Sequence, residues 1–103
     1  MTHKVSIYQI KDVNTDKVFQ THKRVIEQYG GIKLSDYKKV YECTHATTNK
    51  NIIRVLNEIY FRFNVVHPED YKGRSISASD IIVLDGIMYY VDTMGFELID
   101  KVM

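Results

Sequence analysis

Asn51 to Phe96 reads NIIRVLNEIYFRFNVVHPEDYKGRSISASDIIVLDGIMYYVDTMGF. Its first part carries apolar residues at helical spacing: Ile52, Ile53, Leu56, Ile59, Tyr60 and Phe63 mark one face, and Arg54, Asn57, Glu58 and Arg62 the wet one. Asn49 or Asn51 can cap this helix. Arg54–Glu58 and Glu58–Arg62 are spaced for ion pairs one turn apart. Pro68 lies beyond its end. The last part holds two strand-like runs, Ile81 to Leu84 and Ile87 to Val91, around Asp85-Gly86. Asp-Gly favours the turn whose twist suits a two-residue hairpin. Thr93-Met94-Gly95 supplies another turn before a short strand, Phe96 to Ile99. The C-terminal third therefore reads as a three-stranded antiparallel meander.

Working outward, Lys4 to Ile10 and Lys38 to Thr44 read as two further strands. Between them, Asn14, Thr15 or Asp16 can cap a helix beginning near Lys17. Its stripe is Val18, His22, Val25, Ile26 and Tyr29, and Gly30-Gly31 stops it. No repeat or long linker divides residues 1–103, which read as a single α+β domain. The expected architecture is a small antiparallel sheet of about five short strands packed against two helices, one or both covering its apolar face.

Bulk composition fits that reading. The apolar fraction is 45% and the charged fraction 26%, so a disordered chain is not expected. No run is long enough to span a bilayer, and charges occupy the N-terminus where a signal peptide needs an apolar stretch. The expected location is the cytoplasm. The single cysteine, Cys43, allows no intrachain disulfide. Cys43 reads as a small buried residue near the end of a strand; as a nucleophile it would need a base, and His45, on the same face of the strand, is the only candidate close in sequence. Net charge is +1, but residues 11–39 hold seven Lys or Arg against four Asp or Glu, and residues 80–103 hold one Lys against five acids. This division argues against both an acidic nucleic-acid mimic and a strongly basic nucleic-acid binder. A protein partner with patches of both signs suits it better.

The segment from His67 to Asp80 is crowded with directional polar groups: His67, Asp70, Arg74, Ser75, Ser77, Ser79 and Asp80. A histidine beside carboxylates can serve acid–base chemistry, and an arginine can stabilise developing negative charge. Such residues also pin irregular loops through their own backbone amides. In that structural role Ser79 or Asp80 caps amides where the loop meets the strand, Gly73 supplies a positive backbone angle, Asp70 pairs with Arg74, and His67-Pro68 makes a rigid corner. No nucleophile motif or phosphate-binding glycine loop is present. The four histidines lack zinc-ligand spacing, and no metal or cofactor is expected. Of the consecutive Tyr89 and Tyr90, one should face the core and the other a partner.

The order of residues adds a resemblance. Ile7-Tyr8-Gln9-Ile10-Lys11 opens the chain, followed by Tyr37 and Val40-Tyr41. Then come Ile59-Tyr60, Phe63-Asn64, His67-Pro68, Asp70-Tyr71, Gly73, Ser75-Ile76-Ser77 and Ser79-Asp80, and Tyr89-Tyr90-Val91-Asp92 with Gly95-Phe96 closes it. From Ile7 to Phe96 this resembles the YodL-like domain of Gram-positive bacteria and their mobile elements. The chain departs from that pattern with Arg74 where a histidine is frequent and Ala78 where a valine is.

The resemblance implies a domain without a secure enzymatic activity, found in large proteins of conjugative elements and phages. Free-standing members are similar to small proteins that interfere with the actin-like cell-shape machinery, and the size class is also that of anti-CRISPR proteins. The expectation is therefore a non-enzymatic inhibitor of a host bacterial protein, in its most concrete form an anti-CRISPR acting on a Cas9-type effector, with or without guide RNA. Modulation of an actin-like protein and a guide-RNA-directed nuclease using His67 and Asp70 are the alternatives. No membrane partner and no strong binding of free nucleic acid are expected. The candidate contact residues are Asp70, Arg74, Asp80, Asp85, Tyr89, Tyr90, Asp92 and Glu97, the acidic ones placing a negative hairpin end in a basic channel.

Overall fold

The computed structural model describes residues 1–12 and 14–102. Five strands form one antiparallel sheet: β1 (Thr2–Ile10), β2 (Tyr37–Ala46), β3 (Ile81–Leu84), β4 (Ile87–Val91) and β5 (Phe96–Leu98), in the order β2-β1-β3-β4-β5. Among the described residues two α-helices, α1 (His22–Tyr29) and α2 (Ile52–Val65), and a 3-10 turn at Leu34–Asp36 join the sheet in an α+β fold. The meander β3-β4-β5 is present, and β1 is inserted between it and β2. Asp85 (φ 51°) and Gly86 (φ 84°) both have positive φ, the signature of the tight hairpin turn expected there.

The two helices lie on opposite faces of the sheet. Val5, Ile7, Ile82 and Leu84 pack with α2 through Val55, Leu56, Ile59 and Phe63. Ile10, Ile81 and Tyr90 pack with Val25 of α1 on the other side. The cause is legible in β3: Ile81-Ile82-Val83-Leu84 is apolar at every position, so alternation loads both faces.

Three local expectations are corrected. α1 begins at His22, not near Lys17, because Thr21 is its cap and accepts a hydrogen bond from the Arg24 amide at 3.1 Å. Phe19 sits at φ 64°, incompatible with a helix running through it. α2 is capped by Asn51, as one of the two expected caps, but Ile52, Ile53 and Tyr60 are exposed and Val55 takes their place in the core. Glu58 joins neither Arg54 nor Arg62. Its carboxylate accepts from His45 Nε2 at 2.9 Å and from Asn49, fastening α2 to β2.

Candidate docking surface

The polar segment after α2 is held by two side-chain amides, each gripping a backbone from far away. Gln9, buried on β1, accepts from the Arg74 amide at 3.0 Å and donates to the Arg74 carbonyl at 2.9 Å. Asn64, in the last turn of α2, accepts from the Ile76 amide at 2.6 Å and donates to the Ile76 carbonyl at 2.9 Å. Each amide satisfies both polar groups of one residue, as a neighbouring strand would. The same Gln9 nitrogen also donates to Asp80 Oδ2 at 3.1 Å, and the Ser77 amide donates to that oxygen at 3.0 Å. Asp80 is 1% exposed, and burial pushes its carboxyl up to about 6.

The rest of the segment is committed in the same way. Ser79 Oγ accepts from the Phe19 amide at 3.1 Å, and its carbonyl accepts from the Tyr37 hydroxyl at 2.6 Å. Burial raises the Tyr37 and Tyr71 hydroxyls, the latter to about 12. Asp70 does not pair with Arg74. It accepts from the Tyr41 hydroxyl at 2.6 Å, while the Arg74 guanidinium donates to the Ile10 carbonyl at 3.0 Å. Nor does Gly73 serve a positive φ. A β-carbon there would lie 2.6 Å from the Tyr71 hydroxyl oxygen, so glycine is required for space. His67 Nδ1 lies 3.0 Å from the Pro68 carbonyl, consistent with a rigid corner.

The expected contact residues do not form one surface. Asp80 is buried, and Tyr90 is 0% exposed with its hydroxyl donating to the Gln20 carbonyl at 2.6 Å. Neither can meet a partner, because both complete the core behind the polar loop. β4 is not an edge strand, and Tyr89 packs half-buried against the α2 side. Asp85 and Asp92 sit at opposite ends of β4, so the hairpin has no single acidic end. Asp85 is also engaged: it accepts from the Lys4 amide at 2.8 Å and from His3 Nδ1 at 2.6 Å, and these bonds hold its carboxyl below the usual range. Asp70, Asp92 and Glu97 remain at the surface or half-buried.

Cys43 and His45 do share a face of β2, but Arg62 stands between them. Its guanidinium lies 3.8 Å from Cys43 Sγ and 3.5 Å from His45 Nδ1. His45 Nε2 is turned to Glu58, and burial pushes the Cys43 thiol up. This is a structural staple and not an activated thiol. Among the described residues no cluster of three histidine, cysteine or acidic side chains could hold a metal ion.

What the sequence reading missed is the outer stripe of α2. Phe61 is 59% exposed and Val65 61%, with Ile53 on the same side. Phe61 and Val65 are one turn apart and adjacent on the helix surface, whereas Ile53 lies two turns before Phe61 with the exposed Asn57 between them. The stripe runs on to the β4–β5 turn: Tyr60 meets Phe96 edge-to-face at 6.4 Å between ring centroids, and Met94 is 90% exposed at the tip. A cavity of about 230 Å³ between Asn57, Tyr60, Asp92, Thr93 and Phe96 joins helix to turn. These exposed apolar side chains on α2 and at the β4–β5 turn make this face the candidate docking surface. The signal was present in the sequence as an excess of apolar residues in α2 over what one buried stripe consumes.

No helix is long and apolar enough among the described residues to cross a membrane. No curated protein and no solved structure matches the chain. The family model of the YodL-like domain matches residues 4–101, and with Gln9, Asn64, Gly73 and Asp80 now seen to build its locked loop, the chain belongs to the YodL-like domain family.

Proposed function

We propose that this domain is a non-enzymatic inhibitor that docks on a host bacterial protein and covers its working surface. The observation that supports this reading is the exposed apolar row of α2 continued by the β4–β5 turn. Phe61, Tyr60 and Met94 are the anchors: large, partly rigid side chains whose burial on binding contributes most of the affinity. Asp92 at the rim and Arg54 on the helix supply orientation through charge. The locked polar loop keeps Asn64, and with it the end of α2, in a fixed position, which lowers the ordering cost of association.

In its most concrete form the partner is a CRISPR effector of the Cas9 type in the cytoplasm of a bacterium invaded by a phage or conjugative element. The decisive experiment is DNA cleavage by purified effector and guide RNA with the protein titrated in, using the chain and its Phe61→Glu variant. Inhibition that F61E relieves supports the reading. Full cleavage with every effector of the type tried, together with rounding of cells that lack any CRISPR system, moves the target to the actin-like cytoskeleton. Guide RNA degraded by the protein would replace docking with catalysis.

A further inference from the structure

On the side of the molecule where β1 ends and β2 begins, a cleft of about 340 Å³ is lined by Gln9, Lys11, Lys38, Lys39, Lys72 and Arg74, together with Ile10, Val40 and Gly73. Five of these are cations and no carboxylate lines the cleft. Lys39 pairs with Glu42 at 3.1 Å, whereas Lys11, Lys38, Lys72 and Arg74 make no salt bridge among the described residues. Of the acids close by, Asp80 is buried and accepts from Gln9 at 3.1 Å, and in the adjoining depression with Asp12 and Asp36, Asp36 is taken by Lys17 at 2.6 Å.

Like charges gathered around one concavity repel each other, and folding alone gives no reason to collect them. The floor beneath them is rigid. Gln9 grips both backbone groups of Arg74, and the Arg74 guanidinium is held against the Ile10 carbonyl. From this arrangement we infer that the cleft binds linked phosphoryl groups, an oligophosphate.

The charge density selects that chemistry over an acidic peptide. The volume is at the small end of ligand sites. An extended peptide carries one carboxylate per residue at most, and alternate side chains point away from each other. A terminal phosphoryl group carries between one and two negative charges on three acceptor oxygens, and each linking one carries a full charge on two. Several joined through shared oxygens match four unpaired cations within that space, with lysines as point charges and Arg74 as the fixed donor. No exposed aromatic ring lines the cleft, so there is no platform on which to stack a base. Recognition is of phosphate and not of sequence.

The site is separate from the α2 face and does not depend on it. Calorimetric titration at low salt with inorganic tripolyphosphate tests it directly, with ATP and a short single-stranded oligonucleotide as parallel arms. All three should bind, and tighter binding of ATP or of the oligonucleotide identifies a free nucleotide or a nucleic-acid backbone as the natural source. The surface double variant K38E/K72E should lose at least about tenfold in affinity, and binding should weaken as salt rises. K23E, on the exposed side of α1, should change little, and F61E should bind like the unaltered chain. Absence of binding by all three anions overturns the inference. So does equal weakening by K23E, or tighter binding of a glutamate-rich peptide than of tripolyphosphate.

Discussion

Gln9 and Arg74, 65 residues apart, are joined by a pair of hydrogen bonds in which the glutamine amide takes the place of a backbone partner. This fixes the loop after α2 to the central part of the sheet without a strand. Replacing Gln9 by Ala leaves the Arg74 amide and carbonyl with no partner on that side, although the Tyr71 hydroxyl still donates to the carbonyl. It also removes one of two donors to Asp80. An orphaned buried polar group costs about 1–3 kcal/mol. Gln9→Ala should therefore destabilise the domain by about 3 kcal/mol in urea unfolding. Arg74→Ala keeps the backbone contacts and should cost less than half of that. Equal losses would mean the guanidinium, and not the amide pair, holds the loop.

Asp80 makes stability depend on pH in the direction opposite to a typical carboxylate. Its folded carboxyl titrates near 6, above the ordinary aspartate range. Between about pH 4 and 6 the folded state binds more protons than the unfolded one, so stability falls as pH rises through that window and levels off above it. Asp80→Asn removes the ionisation while keeping an acceptor for Gln9 and Ser77. The difference in unfolding free energy between variant and parent should grow in favour of the variant by about 2–3 kcal/mol from pH 4 to pH 7. A flat difference would place the Asp80 carboxyl at its ordinary value.

Gly73 and Gly30 separate two reasons for glycine. At Gly73 a β-carbon meets the Tyr71 ring and hydroxyl at 2.6–2.9 Å. At Gly30 nothing lies within 4 Å, but φ is 82° as the left-handed cap of α1. Gly30→Ala should cost about 1 kcal/mol, from backbone conformation alone. Gly73→Ala must displace Tyr71 and should cost about 2–3 kcal/mol, with a change in tyrosine near-ultraviolet circular dichroism. A native spectrum and an unchanged midpoint for Gly73→Ala would show that the ring yields freely.

The strands and the Asp85-Gly86 turn were legible because they rest on local rules: alternation, an unbroken apolar run at Ile81–Leu84, and one dipeptide. The start of α1 was not, since Asn14, Thr15, Asp16 and Thr21 are all competent caps and tertiary contacts choose among them. The rotation of α2 was obscured by apolar residues on two sides. Val55 and Ile53 are equally good core candidates until the sheet selects one. The polar loop was legible as unusual but not as locked, because its partners Gln9 and Asn64 are supplied by other elements. Read from sequence, Asp80 and Tyr90 looked like contact residues; in the fold each is the buried end of a hydrogen-bond chain.

The apolar row of α2 makes a prediction about stability as well as binding. A core position pays for a charge with several kcal/mol, whereas a residue kept exposed for a partner does not. Phe61→Glu should leave the unfolding free energy within about 0.5 kcal/mol of the parent. Phe63→Ala, two residues on and buried against Tyr41 and Tyr71, should lose about 3–5 kcal/mol. Exposure of the row should be visible without any partner: Phe61→Glu should reduce binding of a hydrophobic dye to the native protein, which the parent retains. If Phe61→Glu unfolds the domain as Phe63→Ala does, the row belongs to the core and the docking face must lie elsewhere.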